Sequence, residues 1–344
     1  MDNTFFVGLE IEKVNKFMKK SYLITGGTGS FGKEFVKKLL KDKNVNRIVI
    51  FSRDEAKQFY MSKELKENKK LRFFIGDIRD QYRISRAMIG VDIVVHAAAL
   101  KQVPAAEYNP TEFIKTNIIG AENIIKSAID LKIEKVIALS TDKASSPINL
   151  YGATKLVSDK LFTTANNILG SQKTKFSVVR YGNVINSRGS VVPFFKNLLK
   201  NGAKELPVTH KDMTRFFITL PEGVNFVYDS IKIMKGGEIF IPKIPSCKIT
   251  DIVTALGKNL KIKITGIRPG EKIHEQLCSS DESDKCIEFK NFYVIEPNFN
   301  FNRNLNYMII AKNRGKRVKK SFEYNSLKNQ TKLSVNQIKK MINA

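Results

Sequence analysis

From residue 22 onward, short apolar runs alternate with segments whose apolar residues recur every three or four positions. The runs at 22–25, 48–51, 72–75, 93–95, 136–140 and 176–180 each give way to polar or glycine positions, and they read as strands. Between them lie amphipathic stretches such as 33–40 and 116–131, long enough for helices that cross over between parallel strands. The alternation predicts an α/β fold with a doubly wound, Rossmann-type parallel sheet over residues 18–182. Past Gly182 the rhythm loosens into Gly and Pro punctuation at Arg188-Gly189, Pro193, Pro207, Gly236-Gly237, Pro242, Pro245 and Pro269-Gly270. Residues 183–344 are therefore expected to form mainly a smaller substrate-binding lobe, with some segments returning to the sheet. Residues 1–17 carry no strong pattern, whereas Met18-Lys19-Lys20 runs directly into the first strand, so 1–17 read as an extension the fold does not need.

Composition narrows the class. With 344 residues, 42% hydrophobic and 27% charged, and only 20 Gly and 10 Pro, the chain is neither disordered throughout nor collagen-like. Its net charge of +26 would attract any polyanion, but the basic residues are mostly Lys, spread along the chain beside many Asn and Ile, which reads as compositional bias. The denser run from Lys312 to Lys320 is a candidate surface patch. Three cysteines without a CxxC pair and three scattered histidines suggest neither a disulfide framework nor a metal site, and they fit a reducing compartment. No stretch of 18 apolar residues occurs, so a cytoplasmic protein without a membrane partner is expected.

Candidate chemistry begins where the first strand opens into Gly26-Gly27-Thr28-Gly29-Ser30-Phe31-Gly32, with Gly26, Gly29 and Gly32 three apart before a helix. Such a turn lets backbone approach a pyrophosphate, and the helix N-terminus stabilises the anion. Twenty residues past Gly32, where an NAD site usually presents an acidic residue to the ribose, stand Ser52 and Arg53. A hydroxyl with a guanidinium suits a 2′-phosphate, which favours NADP, while the adjacent Asp54 keeps NAD open. After the third strand, Asp77 of Gly76-Asp77-Ile78 could accept from an adenine amino group or cap the next helix. Ala97-Ala98-Ala99 are small enough for a cofactor to lie against the backbone, and His96 before them reads as structural.

The strongest constellation is Thr141-Asp142-Lys143 after the fifth strand, followed by Tyr151-Gly152-Ala153-Thr154-Lys155. Tyr and Lys four apart share a helix face. A phenol is a poor proton acceptor at neutral pH, but the Lys155 cation and an oxidised nicotinamide would both stabilise the phenolate, so Tyr151 can take a hydroxyl proton as hydride leaves. Joined to the glycine-rich turn, this motif resembles the extended short-chain dehydrogenase/reductase superfamily. Thr141 then stands at the hydroxyl position, Tyr151 is the base and Lys155 its partner, and Asn117 matches that superfamily's Asn after the fourth strand.

Within that superfamily, Asp142-Lys143 with Ser145-Ser146-Pro147-Ile148-Asn149-Leu150 leading into Tyr151 resembles the inverting UDP-N-acetylglucosamine 4,6-dehydratases of pseudaminic acid biosynthesis. The likeness continues through Phe51-Ser52-Arg53-Asp54-Glu55, Ala99-Leu100-Lys101-Gln102-Val103-Pro104, Arg180-Tyr181-Gly182-Asn183-Val184, Met213-Thr214-Arg215-Phe216 and Arg268-Pro269-Gly270-Glu271-Lys272. It also takes in the stretch from Ser187 to Phe195 and Gly236-Gly237-Glu238-Ile239-Phe240. It implies oxidation at C4 by NADP⁺, removal of the C5 proton by Lys143, protonation of the departing C6 hydroxyl by Asp142, and hydride return to C6 with inversion at C5. Lys143 must then be neutral, which proximity to the Lys155 cation and partial burial would favour, and Asp142 must have its pKa raised by burial. The product would be UDP-2-acetamido-2,6-dideoxy-beta-L-arabino-hex-4-ulose, feeding a sugar acid used on surface glycoproteins such as flagellin.

For the UDP moiety the resemblance points to Asn183, Arg188, Arg215 and Arg268, with Glu271 on the ribose and Lys101 near the acetamidosugar. The chain departs from the pattern in residues 1–17, in Asn186 where Gly is expected, and in His210-Lys211-Asp212. A homo-oligomer associating through helices 116–131 and 152–166 is implied. The alternatives are a retaining dehydratase or a C4 epimerase; of these the epimerase would need no acid and base at Asp142 and Lys143. A further alternative is a non-catalytic dinucleotide sensor or nucleic-acid-binding protein, which need not keep Tyr151 and Lys155. No nucleic-acid partner is expected.

Overall fold

The six apolar runs become parallel strands: β1 (Lys20–Thr25), β2 (Val45–Ser52), β3 (Leu71–Ile75), β4 (Ile93–His96), β5 (Lys135–Thr141) and β6 (Lys175–Tyr181). The computed structural model describes residues 19–187, 189–299 and 305–343; the segment 1–17 and Arg188 lie outside the described residues. The strands pair in the order β3-β2-β1-β4-β5-β6, so the direction of winding reverses between β1 and β4. In such sheets the crevice outside the carboxyl ends of the strands at this reversal is where ligands bind. Beyond β6 the sheet continues through the parallel strand Ile239–Pro242. The antiparallel strands Phe292–Ile295, Cys286–Glu288 and Lys316–Arg317 complete it, giving ten strands among the described residues. The basic run thus contributes an exposed edge strand, where charge discourages pairing with a second sheet.

Helices cover both faces. They are α1 (Ser30–Lys41), α2 (Glu55–Glu64), α3 (Gln81–Met88), the short α4 (Val103–Tyr108) and α5 (Pro110–Phe113), α6 (Gly120–Asp130) and α7 (Leu150–Thr164). Asp54, Asp80 and Asn149 cap α2, α3 and α7, each accepting from a backbone N–H three residues on. The helix predicted at 116–131 is not regular: it begins as a π-helical turn, Ile114–Ile119, before α6. Such turns are rare and often sit at functional sites; this one buries Thr116 and Asn117. The main core lies between sheet and helices, with Leu23, Ile24, Phe35, Val49, Val94, Ile137, Phe162 and Phe176 fully or almost fully buried.

A second lobe forms around its own core of Val192, Phe195, Leu206, Phe217, Ile252 and Ile338. Its frame is the three-stranded sheet Ser246–Lys248, Thr214–Ile218, Asn183–Val184 and the parallel pair Lys261–Ile264 with Glu205–Val208. The unexpected Asn186 sits at φ 59°, a left-handed backbone that Gly adopts freely and Asn tolerates better than most residues, and its amide donates to Ile342 O at 3.1 Å. No helix among the described residues is long and apolar enough to cross a membrane.

The start of α1 depends on one close approach: a Cβ at Gly32 would lie 2.5 Å from both the Cα and the carbonyl oxygen of Gly27. Backbone cannot retreat as a flexible side chain can. Gly32→Ala is therefore expected to lower stability by about 1–3 kcal/mol, read as a fall in urea midpoint with unchanged slope.

Candidate active site

One cavity of about 1300 Å³ runs from the glycine turn along the carboxyl ends of β1, β4 and β5 and into the second lobe. Gly26, Thr28, Gly29, Ser30, Phe31 and Gly32 line its sheet end, together with Ser52, Arg53, Asp77, Ile78 and Ala97, Ala98 and Ala99. Thr141, Lys143, Tyr151 and Lys155 line its floor, and Lys101, Asn183, Arg215, Arg268 and Glu271 line its far part. The sequence-predicted residues from both halves thus converge on one cleft, except Asp142 and Asn117, which are buried behind its wall, and Arg188, which lies outside the described residues.

The sheet end fits a dinucleotide. Among the described residues no side chain caps α1, and its first turn holds no acidic residue, so the helix presents uncompensated N–H groups to an anion. Arg53 is 54% exposed and pairs with Asp77 at 3.5 Å. Asp54 is committed elsewhere, accepting from Lys57 N at 2.9 Å as the cap of α2 and pairing with the Lys57 ammonium. The Ser52 hydroxyl accepts from Gln58 Nε2 at 2.9 Å. Asp77 does not cap a helix; it accepts from Arg79 N and Nε at 3.0 and 2.9 Å. Burial alone would raise its pKa, but the Arg79 contacts outweigh that and hold it below the usual range. His96 hydrogen-bonds the Thr25 hydroxyl at 2.9 Å, and burial lowers its pKa to about 3, so it is a neutral packing residue.

Asn117 is placed differently from expectation. It does not line the cavity; its amide closes a two-way bridge to Leu100, accepting from N and donating to O, each at 2.9 Å, and also donates to Thr154 at 3.1 Å. It holds the loop that carries Lys101 rather than lining the cavity.

The central cluster grows from β5. Thr141 starts a short 3₁₀ turn, Asp142–Ala144, its hydroxyl donating to Asp142 Oδ1 at 3.0 Å. That turn packs under α7 so closely that a Cβ at Gly152 would lie 2.2 Å from the Lys143 carbonyl oxygen. Lys143 Nζ reaches Asp142 Oδ1 at 3.0 Å and Glu275 Oε1 at 3.1 Å. The side chain of Asp142 is fully buried, that of Glu275 is 2% exposed and that of Lys143 21%. Asp142 Oδ2 and Glu275 Oε2 are buried without a hydrogen-bond partner among the described residues.

Burial raises the Asp142 pKa, as a general acid requires. For Lys143 the expectation of a neutral amine set by Lys155 is corrected. Burial does lower its pKa, but the carboxylates of Asp142 and Glu275 outweigh burial and raise it, so the resting side chain is an ammonium. Lys155 Nζ donates to Leu139 O at 2.7 Å; burial lowers its pKa, and Asp159 is the carboxylate that opposes that fall. Tyr151 is pushed up to about 12 by burial, and the groups that pull it back are Lys143 and the Thr141 hydroxyl.

In the far part, Arg215 is not the open fork expected at a pyrophosphate. Its terminal nitrogens donate to the carbonyls of Thr214, Ile273 and Lys272 at 2.8–3.0 Å, bracing the segment that carries Glu275. Arg268 is 63% exposed, with Glu271 3.9 Å away.

Several buried charges were missed by the sequence. Asp159 lies four residues past Lys155 on the same face of α7 and accepts from Ser140 and from the fully buried Arg180, which also pairs with Glu282 at 2.9 Å. The spacing Tyr151, Lys155, Asp159 was available as a signal. Glu275 had none, because only the fold brings residue 275 against residue 143.

Comparison with known proteins follows this geometry. Residues 22–297 match the family described as polysaccharide biosynthesis protein. The chain is 55% identical over 329 residues to the protein named UDP-N-acetylglucosamine 4,6-dehydratase (inverting) of Campylobacter jejuni, covering 95% of this chain and 98% of that one. It is 42% identical over 333 residues to a Rickettsia akari protein named UDP-glucose 4-epimerase, covering 95% and 96%. The X-ray structure of Pen from Bacillus thuringiensis superposes with a TM-score of 0.85 at 38% identity, covering 95% of this chain and 98% of that one.

Removing the Asn117 amide strips Leu100 N and O of their partner inside the protein. Asn117→Ala is expected to cost about 1–3 kcal/mol, measured by urea unfolding.

Proposed function

The chain belongs to the polysaccharide biosynthesis protein family, alongside the inverting UDP-N-acetylglucosamine 4,6-dehydratases, and from that premise we propose that it dehydrates UDP-N-acetylglucosamine with NADP and inverts C5. The observation that carries this reading is the buried Asp142–Lys143 pair at 3.0 Å beside Tyr151. An epimerase, the activity named for the Rickettsia relative, has no use for an acid and a base placed at C5 and C6. When bound, the nicotinamide supplies the oxidation of C4 and its reversal at C6.

The residues account for the protons. Tyr151 takes the proton of the C4 hydroxyl, helped by the positive charge of Lys143 and the Thr141 hydrogen bond. Once C4 is a ketone, the C5–H bond is acidic because its electron pair can delocalise onto oxygen. The resting ion pair becomes competent when Lys143 passes a proton to Asp142 along their hydrogen bond, leaving an amine and a carboxylic acid side by side. Burial of Asp142 favours that tautomer. Lys143 then removes the C5 proton, the C5–C6 double bond forms, the C6–O bond breaks, and Asp142 protonates the departing oxygen, which leaves as water. The pair is back in its ionic form. A proton of solvent origin reaches C5 on the opposite face, Tyr151 returns the proton it took from O4 to solvent, and the net change is loss of one water. We propose UDP-2-acetamido-2,6-dideoxy-beta-L-arabino-hex-4-ulose as the product and the first step of pseudaminic acid synthesis as its place.

NADP is supported by Arg53 at the cavity rim and by the commitment of Asp54 to its helix cap. Arg268 stands in the same cavity as Asn183 and Glu271 to receive the UDP moiety, and Lys101, whose own pKa burial lowers, stands there to receive the acetamidosugar.

Incubation with UDP-N-acetylglucosamine and NADP⁺ in D₂O is expected to give a C6 methyl, a C4 ketone or its hydrate, and inverted, deuterated C5 by NMR. Lys143→Ala should keep cofactor binding and lose C5 exchange; a product epimeric at C4 with its C6 hydroxyl intact would contradict the reading. Arg53→Ala is expected to weaken NADP binding about tenfold or more while leaving NAD binding nearly unchanged, measured by calorimetric titration of each dinucleotide.

A further inference from the structure

The dehydratase reading assigns Asp142, Lys143 and Tyr151, but it leaves Glu275 without a role. This carboxylate is almost wholly buried, lines the catalytic cavity, and comes from the second lobe, on the segment after the Arg268-Pro269-Gly270-Glu271 turn. It shares the Lys143 ammonium with Asp142, at 3.1 and 3.0 Å. Its backbone N–H donates to the Ser326 hydroxyl at 2.9 Å, and Arg215 Nε approaches its carboxylate at 3.7 Å, so both its main chain and its head are anchored. A buried carboxylate is costly unless it is paired, and here the partner is the side chain that must act as base.

We propose that Glu275 is a positioning residue for C5 proton removal: it holds Lys143 at the cavity wall beside Asp142 and balances the ammonium that forms when Lys143 takes the C5 proton. The inference rests on the dehydratase reading. In the catalytic cycle the proton of resting Lys143 moves to Asp142, the C5 proton replaces it, and the Asp142 proton leaves with O6. Through all three transfers Glu275 stays ionised. Burial would raise its pKa, but Lys143 and Arg215 outweigh burial and keep it low. The charged and titratable groups around the pair are Asp142, Arg215 and Lys272, whose Nζ donates to Ser145 O at 2.7 Å, with Lys101 and Tyr151 also in range of Lys143. Of these, only Asp142 and Glu275 favour the ammonium, and Asp142 gives up its charge during the reaction. Glu275 is therefore the carboxylate that keeps Lys143 from being stranded between cations.

The test follows the rate of C5 exchange with solvent deuterium, and of product formation, against pH in wild type, Glu275→Gln and Glu275→Asp, with KM for UDP-N-acetylglucosamine measured in each. Exchange rises with pH as the Asp142–Lys143 pair sheds a second proton and keeps the single proton the two share. Taking away the Glu275 charge lets that second proton leave more easily, so in Glu275→Gln the rising limb is expected to move to lower pH by roughly one unit or more. Its kcat should fall about tenfold or more with KM little changed. Glu275→Asp keeps the charge but withdraws it by one methylene, so its limb is expected to move in the same direction by less, and this variant decides the matter where Glu275→Gln does not fold. A limb unmoved from wild type overturns the proposal, even if kcat falls, because a merely structural role would lower kcat without shifting the limb. A wild type that forms no 6-deoxy-4-keto product removes the dehydratase reading and this inference with it. A wild type that turns over while the variants keep its pH profile removes the inference alone.

Discussion

A single ammonium held between two buried carboxylates is the constraint around which the cleft is organised. Lys143 meets Asp142 and Glu275 at almost equal distances, and two of the three groups are removed from solvent. In that setting neither carboxylate can exist unpaired at low cost, and the Lys cannot be neutral until one of them accepts its proton. The acid and the base needed for elimination are thus two states of one hydrogen bond. The same ammonium, with the Thr141 hydroxyl, opposes the rise that burial imposes on the Tyr151 pKa.

The fold delivers these charges from distant parts of the chain. Asp142 and Lys143 leave the end of β5 in a turn that α7 can approach only because residue 152 is Gly. Glu275 arrives from the second lobe, on a segment whose carbonyls are gripped by Arg215. Asn149 ties the lobes together from the other side, capping α7 through its oxygen and donating to Gly270 O at 2.8 Å through its nitrogen. Below the floor, Arg180 joins Asp159 on α7 to Glu282, so the helix that carries Tyr151 and Lys155 is fixed at both its N-terminal cap and its middle. The extended C-terminal strands serve the same end, since Phe292–Ile295 and Cys286–Glu288 join the parallel sheet beyond β6.

The parallel sheet and the glycine turn were legible because they rest on local signals: a four-residue apolar run reads as a buried strand wherever it lies, and three glycines at fixed spacing impose their geometry on the backbone. Tyr151 and Lys155 were legible for the same reason, being four apart on one helix. What the sequence could not carry was the electrostatic partnership. Lys155 was placed with Tyr151 by spacing, but nothing local showed that its nitrogen also donates to the Leu139 carbonyl. Asn117 was read as a cofactor contact, yet its amide is used up by Leu100 and Thr154. Arg215 was read as an anion fork, yet its terminal nitrogens donate to carbonyls, two of which, at Ile273 and Lys272, only the folded lobe brings near. Polar side chains have many possible partners along a chain, and tertiary packing alone selects among them. The irregular start of the helix at Ile114–Ile119 was hidden for a related reason, since its apolar periodicity is that of an ordinary helix.

The account turns on where the Lys143 nitrogen stands when a sugar is present. A crystal structure of the protein with NADP⁺ and UDP-N-acetylglucosamine is the most direct test. It is predicted to place Lys143 Nζ about 3–3.5 Å from C5 of the sugar, with an Asp142 oxygen in hydrogen-bonding reach of O6. A complex in which Lys143 stays locked between Asp142 and Glu275 while C5 lies out of its reach would contradict the account.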